Sequence, residues 1–296
     1  MDLITVGDVM IDVHVRAPAL KRGGDVHGRV RLQPAGTSAN AAVWAAWDGA
    51  SARVHGRVGD DLAGGLLRDA LVDRGVEPAL TLDPDAPSGT MLVVVEAGER
   101  SMVADRGANA RLTPEDLPDS LEAGAVLVSG YLLLQEPTTH AGLAAIERAS
   151  GGFVAVESSS WPLIEAFGVE RFLASTGELG ATVVLVNERE AEVLTGSPGA
   201  DAARALGERY RVACVKLGEN GAIMSFDGLL VEVDAEPVVE VDPTGAGDAF
   251  DGVLLAALAR GEQPEAALRR ACHAGALAAA SEETWPSQAR SRQVEP

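Results

Sequence analysis

The sequence predicts an α/β fold in which three layers form around a doubly wound, mainly parallel sheet, with a small second β-sheet as a lid. Short β-branched runs alternate with Ala- and Leu-rich amphipathic segments, as in successive βαβ units. Several helical segments begin at small or glycine-rich turns, which is typical of loops above a parallel sheet. Two stretches break this alternation and have the pattern of paired strands.

The alternating segments divide into predicted strands and predicted helices. The core strands are expected at residues 3–6, 53–58, 125–129, 153–156, 182–186 and 213–217. The helices are expected at residues 38–47, 62–73, 138–149, 188–194, 246–259 and 265–280. A chain of 296 residues can bury one large core, so we interpret residues 1–296 as a single domain.

The paired strands are expected within residues 9–32 and 90–105, with polar turns at 21–24 and 97–100. Hairpins of this kind do not fit inside a doubly wound parallel sheet. We therefore predict a separate small sheet from about residues 9–34 and 88–107. Above the carboxyl edge of the main sheet it would act as a lid on a ligand crevice.

Composition excludes several classes of function. The net charge of −20 would repel a polyphosphate backbone, and the aromatic content of 4% is low for base stacking, so no nucleic-acid partner is expected. The most apolar run, 125–134, is too short to span a bilayer, and the N-terminal residues do not have the pattern of a signal peptide. Cys214 and Cys272 each lie in an apolar run, which favours two core thiols and a cytoplasmic protein.

The most informative segment is 242–250, which reads DPTGAGDAF. A β-rich run ends just before it, and an Ala- and Leu-rich helix follows. Small residues at a helix start allow backbone N–H groups to converge on an anion. Asp248 would repel bound phosphate there unless it accepts a proton from an attacking hydroxyl. The alternative from these residues alone is that Asp248 caps the helix.

This segment resembles the motif D-[ST]-x-G-A-G-D-x-F of the PfkB, or ribokinase-like, carbohydrate kinase family. Further resemblances follow in order along nearly the whole chain. They are Gly7-Asp8 with Asp12, the run AGTSAN at 35–40, Gly59-Asp60-Asp61 with Gly64, Gly75-Val76, Gly107-Ala108-Asn109, Ser129-Gly130, NERE at 187–190 and KLGENG at 216–221. Each piece alone is weak, but their order makes the resemblance specific.

The resemblance implies a role for each matched residue in an ATP- and Mg²⁺-dependent sugar kinase. Asp248 would be the catalytic base, and Gly245, Ala246 and Gly247 would form the anion hole. The substrate would contact Asp12, Gly36, Asn40 and Glu136. ATP would contact Asn187, Lys216, Gly218, Gly221 and His273. Asn187 and Glu190 would hold Mg²⁺ indirectly, through water. The resemblance leaves K⁺ activation open, and the loop 282–286 gives no diagnostic pattern for it.

The sequence departs from the family pattern at several positions. Ala35 replaces the first glycine of a di-Gly turn, so its φ must avoid positive values. Val253 stands where the Asp248 motif usually ends in glycine, which predicts altered packing of that helix. The run ESSSW at 157–161 replaces an Asp-Pro-Asn-x-Arg segment, and the lost arginine disfavours an anionic sugar acid. Lys216 replaces a common threonine and adds a cation beside the phosphates.

The expected substrate is therefore a small neutral sugar such as ribose or fructose. A nucleoside kinase of the same fold is the alternative enzyme, with Val13, Val15, Met102 and Trp44 as an apolar slot for the base. A catalytically silent ligand-binding homologue is the alternative of another class. The resemblance also implies a homodimer joined through the lids, since an exposed sheet edge favours pairing.

Overall fold

The computed structural model describes residues 1–96 and 99–286, and two sheets organise them. The strands are β1 Leu3–Val6, β2 Met10–Ala17, β3 Arg29–Ala35, β4 Ala52–Gly59, β5 Val76–Asp83, β6 Gly89–Glu96, β7 Glu99–Asp105, β8 Leu121–Ser129, β9 Ala149–Glu157, β10 Val183–Asn187, β11 Val212–Lys216, β12 Ala222–Phe226 and β13 Leu229–Val233. The helices are α1 Thr37–Trp47, α2 Leu62–Asp73, α3 Gly130–Leu133, α4 Thr139–Arg148, α5 Trp161–Phe167, α6 Val169–Glu178, α7 Glu188–Thr195, α8 Gly199–Gly207, α9 Ala246–Ala259 and α10 Pro264–Ala279.

The larger sheet has nine strands in the order β13-β12-β11-β10-β9-β8-β1-β4-β5. The strands from β5 across to β11 run parallel, and β12 and β13 are antiparallel additions at one edge. The predicted α/β fold class is confirmed. Strands β5, β12 and β13 were not predicted, because their mixed polar and apolar residues lack the continuous β-branched runs of the central strands.

Successive residues of the central strands face opposite layers. On β8, Ala125 and Leu127 join one apolar core, whereas Val126 and Val128 join the other. The first core includes residues of α1, α2, α9 and α10, and the second includes residues of α4 to α8. This period of two is what buries both faces of a parallel sheet under helices.

The smaller sheet has four strands in the order β3-β2-β6-β7. Its strands fall within the predicted segments 9–34 and 88–107, but β2 and β6 pair in parallel rather than as a simple row of hairpins. Part of the predicted turn at 97–100 lies outside the described residues. That this sheet acts as a lid remains a prediction.

Helix α9 approaches α1 through Gly252. A Cβ at this position would lie 2.0 Å from the Ala41 carbonyl oxygen, a distance that no side chain tolerates. The glycine needed for close packing is thus Gly252, one residue before Val253, which is itself buried. Altered packing at Val253 relative to the family pattern stays a prediction. Among the described helices, none has the length and apolar character needed to cross a bilayer.

Replacing Gly252 with alanine should lower the free energy of unfolding by about 1–3 kcal/mol or more, because α9 must move away from α1. The matched control is Gly65→Ala in α2, where an added Cβ meets no heavy atom within 4 Å. That change should be neutral or stabilise the chain by about 0.5–1 kcal/mol, since alanine loses less backbone entropy. Urea unfolding midpoints measure both, and equal effects would contradict the close approach.

Candidate active site

Three polar residues lie together where adjacent parallel strands end. Glu157 is the last residue of β9, Asn187 of β10 and Lys216 of β11. Glu157 is in register with Leu185, and Asn187 is in register with Lys216. Because the carboxyl ends of parallel strands meet at one edge of the sheet, these side chains form one floor.

The loop before α9 brings a helix N-terminus to this floor. Asp242 Oδ1 accepts hydrogen bonds from the Thr244 N–H at 3.0 Å and from the Thr244 hydroxyl at 2.6 Å. Pro243 occupies the Ser/Thr position of the sequence motif, so Thr244 supplies the hydroxyl instead. Gly245 then adopts a left-handed conformation with φ of 80°, and an added Cβ would lie 2.7 Å from Thr284 Cγ2. Only glycine fits this turn.

The predicted anion hole, Gly245, Ala246 and Gly247, lies in the first turn of this helix. The Ala246 N–H bonds the Pro243 carbonyl at 3.2 Å. Helix geometry leaves the next N–H groups, those of Gly247 and Asp248, without an intrahelical acceptor. These two donors are therefore available to an anion, and of the three predicted positions Ala246 is the one whose N–H is engaged by Pro243.

Asp248 does not cap α9. The helix begins after Gly245 and has no side-chain cap, and the half-buried Asp248 carboxylate instead accepts a hydrogen bond from Asn40 Nδ2 at 2.7 Å. Burial, with the charges of Asp251 and Asp12, raises the pKa of Asp248 to about 6 against the opposing effects of the Asn40 hydrogen bond and the Lys216 charge. This is the environment of a carboxylate tuned toward proton transfer near neutral pH.

Lys216 pairs with a residue that sequence reasoning missed. Its Nζ donates to Asp251 Oδ2 at 2.7 Å, and Asp251 is buried on the helix turn after Asp248. Burial lowers the pKa of Lys216, but the charges of Asp251 and Glu157 outweigh burial and leave that pKa raised. The spacing of three residues from Asp248 was the available signal, because it places Asp251 on the same helix face.

Glu157 is a second buried acid that sequence reasoning did not single out. It accepts hydrogen bonds from the Ser159 N–H and hydroxyl, each at 2.6 Å. Burial raises the pKa of Glu157 to about 8, and Glu190 and Asp248 add to the effect while Lys216 opposes it. The sequence drew attention to the arginine missing from this segment, and the carboxyl at the strand end was the overlooked signal.

Asn187 and Glu190 form a capping box at the start of α7. Asn187 Oδ1 accepts the Glu190 N–H at 2.9 Å, and Glu190 Oε2 accepts the Asn187 N–H at 2.9 Å. The Ser158 hydroxyl also donates to Oε2, at 2.5 Å. These described bonds to the buried Glu190 all use Oε2. Within the described residues, no group of three or more acidic, His or Cys side chains could hold a metal directly.

The small sheet contributes Asp12, whose side chain is buried at the junction with the main sheet. Asp12 lies opposite Gln33 on the neighbouring strand. His14 Nε2 lies 2.8 Å from Gln33 Nε2 and 3.8 Å from Asp12 Oδ2, while His14 Nδ1 lies 3.8 Å from Asp242 Oδ2. The sequence did not predict that His14 would lie between Asp12 and the loop before α9.

Gly36 and Asp8 define the turn that leads to Asn40. Gly36 has a φ of 107°, and an added Cβ would lie 2.3 Å from the Asp8 carbonyl oxygen, so only glycine fits. Ala35 pairs within β3 and avoids a positive φ, as predicted. The Asp8 carboxylate accepts two hydrogen bonds from Arg106, at 2.8 and 3.1 Å, which neutralises its charge.

A cavity of about 410 Å³ opens beside Lys216 and the start of α9. Gly218 and Gly221, two of the predicted ATP contacts, lie on its wall, and Phe250 and Cys272 line it as well. The other lining residues are Glu219, Ala235, Glu236, Pro237, Val238, Glu240, Pro243, Ala246, Gly247, Gly275, Ala276 and Ala279.

Two predicted contact residues lie elsewhere. His273 does not line this cavity; its Nδ1 lies 2.7 Å from Glu236 Oε2, and it faces a separate groove shared with Trp47. The helix turn places Cys272 and Ala276 inward instead. Glu136 is exposed beside a cis peptide bond to Pro137, rather than buried next to Asp12 and Asn40.

The loop 282–286 completes the site, although its sequence was not diagnostic. Trp285 Nε1 donates to Asn40 Oδ1 at 2.7 Å. Glu282 pairs with Arg31 and, at 3.1 Å, with Arg16 of the small sheet. The same loop therefore contacts both Asn40 and the small sheet.

Comparison with known proteins shows the family to which the chain belongs. The family model described as "pfkB family carbohydrate kinase" matches residues 1–289. A fructokinase of Klebsiella pneumoniae is 34% identical over 86% of this chain and 88% of its own length. A ribokinase of Bacillus subtilis is 30% identical over 95% of this chain and 93% of its own.

A solved structure extends the likeness to the fold. Aminoimidazole riboside kinase of Salmonella enterica, in complex with aminoimidazole riboside and an ATP analogue, is 26% identical. The aligned region covers 96% of this chain and 95% of the aminoimidazole riboside kinase chain, and the TM-score is 0.78. With a family match over nearly its whole length, the chain belongs to the PfkB family of carbohydrate kinases, phosphotransferases that act on a sugar hydroxyl.

Proposed function

We propose that the chain transfers the γ-phosphoryl group of ATP to a hydroxyl of a small neutral sugar such as ribose or fructose. The observation that carries this proposal is the Asp248 carboxylate. It lies at a helix N-terminus, caps nothing, is held by Asn40 and has a pKa raised to about 6. Because this carboxylate makes no capping hydrogen bond, proton acceptance from a hydroxyl nucleophile accounts for its position better than helix stabilisation does.

In the proposed reaction, Asp248 accepts the hydroxyl proton as the sugar oxygen forms its bond to the γ-phosphorus. The bond from phosphorus to the bridging oxygen breaks in line, and ADP leaves with that electron pair. Charge on the transferred group would be met by the N–H groups of Gly247 and Asp248, with Lys216 Nζ close by. An added Cβ at Gly247 would lie 3.5 Å from that Nζ, so the ammonium is beside the helix start.

The 410 Å³ cavity is the proposed site of ATP. It has the size of a small-molecule site, and it opens onto Lys216 and Gly247 at the end nearest Asp248. Its wall of Gly221, Cys272 and Ala276 offers apolar and backbone contacts to a base. The aminoimidazole riboside kinase that binds an ATP analogue supports the same nucleotide here.

The donor set fits a Mg²⁺ that accompanies ATP and keeps most of its waters. Glu190 is a buried carboxylate that the described bonds engage through one oxygen, and Asn187 lies beside it at the end of β10. Both would bind waters of the metal rather than the metal itself. When bound, Mg²⁺ would neutralise charge on the phosphates.

Charge around the acceptor position supports a neutral sugar. Asp12 and Asp248 are acidic, and the described cations Arg106 and Lys216 are paired with Asp8 and Asp251. A carboxylate or phosphate on the acceptor would therefore meet a negative field. Short Asp and Asn side chains on rigid elements suit the hydroxyls of a monosaccharide, and Asp12 and Asn40 are the proposed contacts.

A nucleoside is the second candidate acceptor, although the predicted slot for its base is wrong. Trp44 is buried among helices α1, α9 and α10. Val13 and Val15 face away from Asp12, because side chains alternate along β2. Met102, which pairs with Val93 on the Asp12 face of the sheet, is the one predicted slot residue that could contact a base there.

Asp248→Asn should lower kcat by about 10²–10⁴-fold, because the amide keeps a bond to Asn40 but cannot accept the proton. The measurement is ADP release over a panel of ribose, fructose, other neutral sugars, sugar acids and nucleosides, with and without K⁺. Asp69→Asn, at a 75% exposed position on α2, is the matched control and should keep full activity.

The panel separates the hypotheses. Turnover of a neutral sugar supports the proposal, and turnover of nucleosides alone supports the second candidate. If ligands bind but none is phosphorylated, the chain is a catalytically silent binding protein. Full activity of Asp248→Asn would remove Asp248 from the mechanism.

The pH profile should report the raised pKa of Asp248. Since the base must be ionised, kcat/KM should be constant above pH 6 and fall about tenfold per unit below it. An ordinary aspartate would lose activity only near pH 4. The surrounding charges are Asp251, Asp12, Lys216 and Glu157. Saturating Mg²⁺ keeps the nucleotide ionised, and an acidic limb near pH 4 would contradict the proposed base.

We also propose a homodimer that joins the outer faces of the small sheets. Leu32, Val30 and Val103 lie on the face opposite Asp12, and they are 71%, 60% and 65% exposed. Leu32→Asp should shift the mass measured by light scattering from dimer to monomer, because it places charges in an apolar interface. Leu229→Asp, at the far edge of the larger sheet, is the control. A wild-type monomer would overturn this assembly.

A further inference from the structure

The side-chain amide of Asn40 is held at both ends. Its Nδ2 donates to Asp248 Oδ2 at 2.7 Å, and its Oδ1 accepts from Trp285 Nε1 at 2.7 Å. An indole nitrogen can only donate, so Trp285 requires the amide oxygen on its side. The NH₂ group must then point at the Asp248 carboxylate. Without the indole donor, the amide could turn and present its oxygen to the carboxylate, which would repel it.

Trp285 is itself fixed by its neighbours. It is 5% exposed, and the Arg74 guanidinium lies 5.9 Å from its ring centroid. Arg74 also donates to the Pro286 carbonyl. The preceding carbonyl, that of Thr284, accepts a hydrogen bond from the buried Trp44 Nε1 at 3.0 Å. The indole of Trp285 is thus a rigid donor and not a surface group that happens to reach Asn40.

The loop that carries Trp285 also contacts the helix start. The Thr284 methyl group lies against Gly245, where a Cβ would come within 2.7 Å. Thr284 therefore packs against the turn before Asp248. The next residue, Trp285, donates to the Asn40 amide that in turn donates to Asp248. Both contacts act on the position of the same carboxylate.

We infer that Trp285 is a positioning residue of the phosphoryl transfer, whose indole N–H orients Asn40 so that Asn40 aligns the Asp248 carboxylate. This inference rests on the proposed function for its kinetic effect. Trp285 does not touch the substrate in this role and acts only through Asn40. Its loss should therefore change kcat and the acidic limb of the pH profile, and leave the KM for ATP unchanged.

Trp285→Phe tests the role, because phenylalanine keeps an aromatic ring under Arg74 and removes only the donor. We expect kcat to fall about tenfold, equivalent to about 1.4 kcal/mol. The acidic limb should move to higher pH, since the Asn40 hydrogen bond lowers the pKa of Asp248. The matched control is Trp47→Phe, in the groove with His273, which should leave kcat and the pH profile unchanged. An unchanged kcat and pH profile in Trp285→Phe would overturn the inference.

A double-mutant cycle separates positioning from general damage. If Trp285 acts through Asn40, then Trp285→Phe should have no further effect on kcat in an Asn40→Ala background. Multiplying effects of the two changes would mean that Trp285 acts by another route, and would overturn the inference. Thermal unfolding of each variant shows that the comparison is between folded proteins.

An NMR measurement remains decisive even if no acceptor is found. The chain has four tryptophans, so a ¹⁵N-labelled sample gives four indole N–H signals, and the one lost in Trp285→Phe is that of Trp285. Asn40→Ala should shift this signal and speed its exchange with solvent, because its acceptor is gone. A signal that does not respond would overturn the inference. If the signal responds but no acceptor is phosphorylated, the proposed function is refuted and the hydrogen bond between Trp285 and Asn40 is supported.

Discussion

The Lys216 ammonium is the charge on which the rest of the site depends. Four carboxylates, those of Asp248, Asp251, Glu157 and Glu190, interact with it or with one another at the carboxyl edge of the sheet. Burial alone would drive such acids to protonate. Lys216 keeps its direct partner Asp251 in an ion pair and lowers the pKa values of Asp248 and Glu157 against the effect of burial. The sheet makes this arrangement available, because parallel pairing brings the carboxyl ends of β9, β10 and β11 to the same edge.

The acidity of the whole chain and the chemistry of the site are therefore separate matters. A net charge of −20 describes the surface, whereas an anionic nucleotide would meet a helix N-terminus and one ammonium within a few ångströms of each other. Short-range donors outweigh a distant field that salt screens over about 8–10 Å. In the proposed reaction, the Asp12 carboxylate would favour hydroxyls over anionic groups on the acceptor.

The elements that could be predicted from the sequence are those whose bounds depend on interactions between residues close in the chain. The bounds of α2 and α9 were predicted to the residue, because apolar periodicity and glycine turns mark them directly. Contacts between distant residues were out of reach: Asn40 and Trp285 are 245 positions apart, and Lys216 and Asp251 are 35 apart. The sequence could not say that His273 would reach the cavity only through Glu236, since a pattern of alanines does not show which face of α10 meets a cavity. The contact of Glu136 with a substrate stays a prediction.

The bond between Asn40 and Trp285 joins an early helix to one of the last described segments. A chain synthesised only as far as α10 already has the Asp248 helix and the floor formed by β9, β10 and β11. It does not yet have the Trp285 indole that donates to Asn40 or the Thr284 methyl that lies against Gly245. It also lacks Glu282, which pairs with Arg16 and Arg31. Most of the core can therefore form before the contacts of residues 282–286 hold the Asn40 amide and the Asp248 carboxylate in this arrangement.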